Sequence, residues 1–273
     1  MQTEKFTITV EVVPPAGSDA AALFSTLQSL KALPIDGFSV ATNPVAKPRM
    51  SAMALCILIQ QKTRRPAVLH CTTRDHNRLS LQALLWGAVA LGIKTVLAST
   101  GDFVALEDRS KTTEVRDVDV FDLVKMTRAA GLRTGVVLDP LPEANGLKQA
   151  VERLKRKIEA GAHYAVTQPL YDEAAADDLA EAVRHIGIPV IMGLLPLRSH
   201  RHAEFLHHKV AGIAVPRAVR DRMRCAENPA SEGVKNAAEL LALARDRFAG
   251  ACVMPPFDRY EILTDMLLEN PRC

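Results

Sequence analysis

Short runs dense in β-branched and other apolar residues alternate, along almost the whole chain, with longer stretches whose apolar positions recur every three to four residues. The first pattern suits a strand buried on both faces and the second an amphipathic helix, so the alternation reads as successive βα units around a parallel sheet. Strands are predicted at 6–12, 37–41, 67–72, 95–99, 134–138, 164–167, 189–194 and 251–254. Helical patterns fill 19–33, 51–62, 78–91, 120–130, 146–160 and 173–186. Gly92, Gly131, Gly161 and Gly187 follow four of them directly, the place where a glycine stops a helix without steric penalty.

Eight strands, nearly all followed by a helix, fit an α/β fold of the (β/α)8 TIM-barrel type better than a doubly wound sheet, which needs fewer strands. The stretch 196–250 holds two or three helices before the last strand and reads as an elaborated seventh connection. No repeat and no linker divides the chain, so residues 1–273 are expected to form a single barrel domain. With 48% hydrophobic and 24% charged residues, that domain has material for a large core, and dominant disorder is excluded.

Charge narrows the partners. Lys and Arg number 34 against 31 Asp and Glu, a formal charge of +3, and no basic stripe interleaved with aromatics occurs. Nucleic acid is therefore not expected as a partner. The longest apolar stretch, 188–197, is far short of a membrane span, so no membrane association is expected. The opening MQTEKFTITVEVVPP has no apolar segment behind a basic one, which makes a cytoplasmic location the expectation. Cys56, Cys71, Cys225, Cys252 and Cys273 contain no CxxC pair and read as reduced, mostly structural thiols.

In a barrel, chemistry belongs where strands hand over to loops at their C-terminal ends. Those positions hold Glu11, Asn43, residues 72–75, Gly101 with Asp102, Asp139, Gln168 and the turn 195–198. Glu11 stands inside an apolar run, where a carboxylate is costly unless it is paired or protonated. It is either an acid with a raised pKa or a strand-end partner for a rim arginine. Gly101 and Asp102 make either a ligand-facing junction or a plain turn. Gln168 offers a donor and an acceptor suited to an amide-rich heterocycle. His70, Arg74, Asp75 and Asn77 gather at the third strand's exit, though Asp and Asn there also suit a helix cap. His200, His202, His207 and His208 lack the spacing of a metal site and read as a solvated helix face, so no metal is expected. Neither GxGxxG after a strand nor GxxxxGK[ST] is present. Aromatic residues make up only 4%, leaving Tyr171, Phe103 and Trp86 as candidates to stack on a planar ligand; Trp86, in an apolar helix stretch, reads as core.

Several ordered blocks carry a more specific signal: VEVVPP around Glu11, HCTTRDHNRLSLQALLWGAVALGIKTVLASTGD from His70 to Asp102, DVDVFDLV, LKRKIEAGAHYAVTQPLYD, GLLPLRSHRHAEFLH and MPPFDRYE. Together they resemble the methylenetetrahydrofolate reductases, (β/α)8 flavoenzymes, and are similar above all to the short bacterial type and to the reductase domain of homocysteine methyltransferase fusions. The resemblance implies reduction of 5,10-methylenetetrahydrofolate to 5-methyltetrahydrofolate, with FAD as cofactor, NAD(P)H as donor and tetrahydrofolate derivatives as ligands. It also implies a homo-oligomer or a subunit working with a partner. Carried onto this sequence, Glu11 is the general acid and Asp102 lies beside flavin and pterin. Gln168 binds folate, with Tyr171 as a further substrate contact. His70, Thr100, Gly101, Asp102, Asp139, Arg156 and Lys157 are the implied cofactor contacts. The chain departs from the family pattern at Ala41, Thr100, Asp139, Ala150 and Arg153. Ala41, Thr100 and Ala150 motivate a second reading: a folate-binding or partner-dependent subunit whose flavin or NAD(P)H site is weakened. A Schiff-base lyase fits less, because no predicted strand carries a lysine at its exit.

Overall fold

Eight parallel strands close on themselves in chain order, each hydrogen-bonded to its sequence neighbours and the first to the last. The computed structural model describes residues 5–140, 146–210 and 212–268; Cys273, named above among the thiols, lies outside them. The strands are β1 (Thr7–Val12), β2 (Gly37–Val40), β3 (Ala67–Thr72), β4 (Thr95–Ser99), β5 (Arg133–Leu138), β6 (Tyr164–Pro169), β7 (Val190–Leu194) and β8 (Gly250–Val253). This is the expected (β/α)8 barrel.

Helices α1 (Ala21–Ser29), α2 (Ala52–Thr63), α3 (Arg78–Ala90), α4 (Val120–Ala129), α5 (Gly146–Glu159) and α6 (Glu173–Val183) follow the first six strands. Three helices, α7 (His200–Lys209), α8 (Arg217–Cys225) and α9 (Pro229–Arg247), fill the connection before β8. A further helix, α10 (Ile262–Leu268), follows β8 and was not legible as a periodic pattern. The helix starts are sequence-encoded: side chains of Ser51, Asn77, Asp119, Asp172, Ser199 and Asn228 each accept a backbone N–H from the first turn. Gly92, Gly131, Gly161 and Gly187 all carry positive φ at the predicted stops.

Strand β1 shows how the two sides of the wall differ. Ile8, Val10 and Val12 point outward into the main core between strands and helices, while Thr9 and Glu11 alternate into the lumen. The lower lumen is packed solid by Leu97, Tyr164, Val166 and Cys252. Gly135 makes room for the Tyr164 ring, which a Cβ at that position would strike at 2.2 Å. The C-terminal mouth stays open. Among the described residues no helix is long and apolar enough to cross a membrane.

Candidate active site

Glu11 sits at the bottom of the open mouth, where solvent reaches the carboxyl but protein crowds it on every side. Burial first, and then the nearby charge of Asp102, push its pKa from the usual 4.5 up to about 7. Beside it the floor is polar. Strand register sets Ser39 opposite Glu11, and the Ser39 hydroxyl lies 2.7 Å from His70 Nε2. Burial drops the His70 pKa to about 4, so the imidazole is neutral at physiological pH. The Cys252 thiol, also on this floor, is pushed up to about 12 by burial and by Glu11, and hydrogen-bonds to Thr9 and Ser39. It stays protonated and is no nucleophile.

Asp102 comes in from the exit of β4. Its preceding residue, Gly101, has φ +74°, and a Cβ there would meet Thr72 Cβ at 3.1 Å and Arg74 Cβ at 3.2 Å, so both the backbone and the tight space favour glycine. Asp102 Oδ2 accepts the backbone N–H of Val45 at 2.6 Å, which holds a β2 loop where Asn43, Val45 and Ala46 all have positive φ. Arg74 ties the same two loops from beneath. Its guanidinium, 2% exposed, forks onto Asp75 at 2.5 and 2.8 Å and donates at 3.1 Å to the carbonyls of both Asp102 and Asn43. A buried arginine bonded in this way fixes geometry at two strand exits at once. Arg116 completes the frame by donating to the carbonyls of Thr100 and Gly101, with Glu114 as its ionic partner.

The opposite wall is built by β5, β6 and α5. A bulge interrupts the pairing of β6 with β7 between Val166 and Pro169, where the Thr167 hydroxyl accepts the Gly193 N–H at 2.8 Å. Bulges re-aim side chains, and here Gln168 lines the cavity. Gly212, in the loop after α7, packs close to both Gln168 and Asp139. From α5, Arg153, Arg156 and Lys157 form a cationic strip. Lys157 Nζ donates to the Val137 carbonyl at 2.6 Å, and burial, followed by repulsion from Arg153, lowers its pKa to about 8. Arg156 and Arg153 lie over the Phe121 ring, 4.4 and 5.3 Å from its centroid.

The resulting cavity has a volume of about 810 Å³. Glu11, His70, Thr100, Gly101, Asp102, Asp139, Arg156, Lys157 and Gln168, separated by up to 157 positions in sequence, all line it. Tyr171 does not. It is buried in a separate cluster with Leu197, Ala203 and Leu206, and its hydroxyl has no hydrogen-bond partner there. Nor do the other two proposed stackers reach the cavity. Phe103 is 73% exposed under Arg116, and Trp86, expected in the core, is instead 64% exposed on the outer face of α3. The apolar helix stretch misled because a barrel helix buries only the stripe facing the strands. Of the α7 histidines, His200 and His208 pair with Glu204, and His202 packs at a tilt against the Phe257 ring. Among the described residues no group of three or more His, Cys, Asp or Glu is placed to hold a metal.

A sequence profile described as methylenetetrahydrofolate reductase matches residues 1–244. The chain belongs to the methylenetetrahydrofolate reductase family. The 5,10-methylenetetrahydrofolate reductase of Salmonella typhimurium is 26% identical over 200 residues, covering 72% of this chain and 67% of that one. Methylenetetrahydrofolate reductase 2 of Schizosaccharomyces pombe is 26% identical over 199 residues, 67% of this chain but 31% of its own. A probable methylenetetrahydrofolate reductase (NADPH) of Caenorhabditis elegans is 25% identical over 158 residues, 56% of this chain and 24% of its own. The match thus spans a quarter to a third of the length of these two eukaryotic family members. Among solved structures, a Clostridium thermocellum protein described as binding two copies of 5-methyl-5,6,7,8-tetrahydrofolic acid superposes with a TM-score of 0.73 at 16% identity, covering 98% of this chain and 96% of that one. The tryptophan synthase α-subunit of Pyrococcus furiosus, at TM-score 0.57 and 12% identity, shares the barrel alone.

Sequence reading of the family blocks missed the supports of these side chains. Thr9 and Ser39 are unremarked residues of apolar strands, and only the period-two alternation from Glu11, carried across the strand register, singles them out. The sequence places Arg74 at the third strand's exit without a role, and it is one of the most deeply buried polar side chains described.

Proposed function

We propose that this chain reduces 5,10-methylenetetrahydrofolate to 5-methyltetrahydrofolate, using FAD and electrons from NAD(P)H. The observation that carries this reading is the meeting of Glu11 and Asp102 in one cavity, with the Glu11 pKa near 7. Opening a five-membered aminal ring requires a proton on the departing nitrogen, and an acid whose pKa lies close to the working pH delivers it best. Glu11 is that acid. The Asp102 carboxylate faces the positive charge that then develops on the one-carbon unit. Gln168 pairs with the amide edge of the pterin, since its own amide both donates and accepts. Family membership and the methyltetrahydrofolate bound by the Clostridium protein support the choice of folate.

The residues present fit a flavin dinucleotide. Arg153, Arg156 and Lys157 suit its phosphates, and Leu97, Val137 and Val166 give aliphatic walls for a planar ring. Bound there, the flavin would supply the reversible two-electron carrier that side chains lack. His70, neutral and hydrogen-bonded to Ser39, presents a fixed polar contact on the floor without adding charge.

A second reading draws on the small side chains of Ala41, Thr100 and Ala150 on the same lining, which holds no Phe, Tyr or Trp among the described residues. In that reading the chain binds folate but depends on a partner for electrons. Incubating the purified protein with excess FAD, then titrating NADH, NADPH and methyltetrahydrofolate, separates the two. Retained absorbance near roughly 450 nm with folate-dependent NAD(P)H oxidation supports the reductase. Folate binding without flavin or NAD(P)H oxidation selects the subunit, and absence of folate binding refutes both.

A further inference from the structure

The end of the barrel opposite the catalytic cavity carries a second depression, of about 570 Å³, lined by Arg128, Gly131, Leu132, Arg133, His163 and Pro189. Strand starts and a helix end build it. Arg133 opens β5, His163 and Pro189 directly precede β6 and β7, and Arg128 lies in the last turn of α4. His163 is pinned twice to Thr134: its backbone N–H donates to the Thr134 carbonyl at 2.7 Å, and its Nδ1 accepts the Thr134 N–H at 3.0 Å. Thr134 is itself buried, with its hydroxyl bonded to Thr127 and to the Leu132 carbonyl. Against the remaining ring nitrogen, Nε2, lies Arg128 Nη1. Burial, followed by repulsion from Arg128 and Arg133, lowers the His163 pKa, so the ring is neutral at physiological pH. A neutral imidazole has one lone pair on its nitrogens, and the Thr134 N–H takes it at Nδ1. Nε2 therefore carries a hydrogen and faces a guanidinium that has only hydrogens to offer. The two donors lack an acceptor to share.

Both arginines are braced in place. Arg133 lies over the Tyr164 ring, 5.4 Å from its centroid, and that ring is packed into the lower lumen. The stem of Arg128 runs along Gly161, where a Cβ would come within 3.2 Å of Arg128 Cγ. Among the described residues no carboxylate pairs with either guanidinium, whereas Arg74, Arg116, Arg220 and Arg247 of the same chain all have acidic partners. Residues at this end of a barrel ordinarily serve stability, and cations gathered without counter-charge do not. We propose that Arg128, Arg133 and His163 form a binding site for a phosphate group, brought either by inorganic phosphate or by a phosphate monoester. Two guanidinium charges balance a dianion, and tetrahedral oxygens accept from several directions at once; a carboxylate brings a single charge in one plane. The depression has room beyond one phosphate, and Gly131, Leu132 and Pro189 leave the rest of its wall uncharged. Lying at the far end from Glu11, the site is independent of the reaction proposed above.

The His163 ring is a local reporter. In the full chain with isotopically labelled histidine, its ring-nitrogen resonances are identified by their loss in His163→Asn, whose side-chain oxygen still offers an acceptor to the Thr134 N–H. Titration with inorganic phosphate at low ionic strength is expected to shift these resonances saturably, with a dissociation constant below about 1 mM, and added salt should weaken the binding. Adenosine monophosphate in a parallel arm distinguishes the sources: tighter binding than phosphate selects a monoester, and equal or weaker binding selects the free ion. Phosphate captured instead by Arg153 and Arg156 at the other end leaves the ring unmoved. Arg128→Gln and Arg133→Gln change exposed side chains and should melt with the wild-type chain. Each is expected to weaken binding about 10-fold or more, and the two together to abolish it. His163 resonances that respond to neither compound at about 10 mM, a response to acetate as strong as that to phosphate at matched ionic strength, or a response that survives the double substitution would each overturn the proposal.

Discussion

Replacing Glu11 by glutamine keeps the shape of the cavity floor while removing a titratable proton. The rise of the Glu11 pKa from 4.5 to about 7 corresponds to about 3 kcal/mol at 1.36 kcal/mol per pH unit. Below pH 4.5 the carboxyl is protonated in both folded and unfolded chains, and its ionisation has no effect on stability. Between about 4.5 and 7 only the unfolded chain gives up the proton, so wild-type stability falls as pH rises; above the folded pKa the loss is complete. Glu11→Gln has no such loss. Urea unfolding of both proteins from pH 4 to 8.5 should therefore show the variant gaining up to about 3 kcal/mol relative to wild type across that window. Activity should move the other way. Folate reduction by wild type should decline above about pH 7 as Glu11 ionises, and the variant should lose roughly 10²- to 10⁴-fold of it at all pH values. Reduction of bound flavin by NAD(P)H needs no such proton donor and should survive. A stability difference that stays flat between pH 4.5 and 7 would refute the burial of this carboxyl. Equal losses in both half-reactions would refute its role as the acid.

Gly101→Ala should destabilise the chain by about 1–3 kcal/mol, since the left-handed backbone and the contacts with Thr72 and Arg74 both resist a Cβ; thermal melting checks this, and an unchanged midpoint would mean the junction relaxes freely. Arg74→Met removes the partner of Asp75 and the bonds to two strand-exit carbonyls, and is expected to cost about 3–5 kcal/mol in urea unfolding. A loss below about 1 kcal/mol would show that the guanidinium does not hold these loops. Lys157→Met should weaken FAD binding by roughly 10- to 100-fold in a flavin-fluorescence titration, with a shallower salt dependence than wild type. Unaltered affinity would place the phosphates elsewhere.

Much of this molecule was readable before any coordinates. The strand and helix periods, the capping Asn77 and the glycine stops are local features that each encode their own geometry. Eight such units imply a barrel because a parallel sheet with helices on its outer face must close or be covered on both sides. Glu11 stood out for the same reason: a carboxylate in an apolar strand needs an explanation. The fold then put it, with Asp102 and Gln168, at one mouth.

Other properties belong to the assembled barrel. Tyr171 and Trp86 are aromatic residues in apolar stretches, yet one is buried away from the cavity and the other faces solvent; which side of a wall a residue meets depends on rotation and neighbours, not on local composition. Arg74 stood in the sequence as one polar residue at a strand exit, and only the convergence of the β2 and β4 exits gives its guanidinium two carbonyls to hold. The acidity of Glu11 likewise arises from desolvation and from a charge 91 positions away in sequence. Sequence therefore determined the elements, their order and the chemical types at the strand exits, because these follow from short-range periodicity and backbone preference. Tertiary structure alone decided which side chains share a cavity, which carry a shifted proton affinity and which face is left open, because burial and electrostatics act through space between residues that the chain keeps far apart.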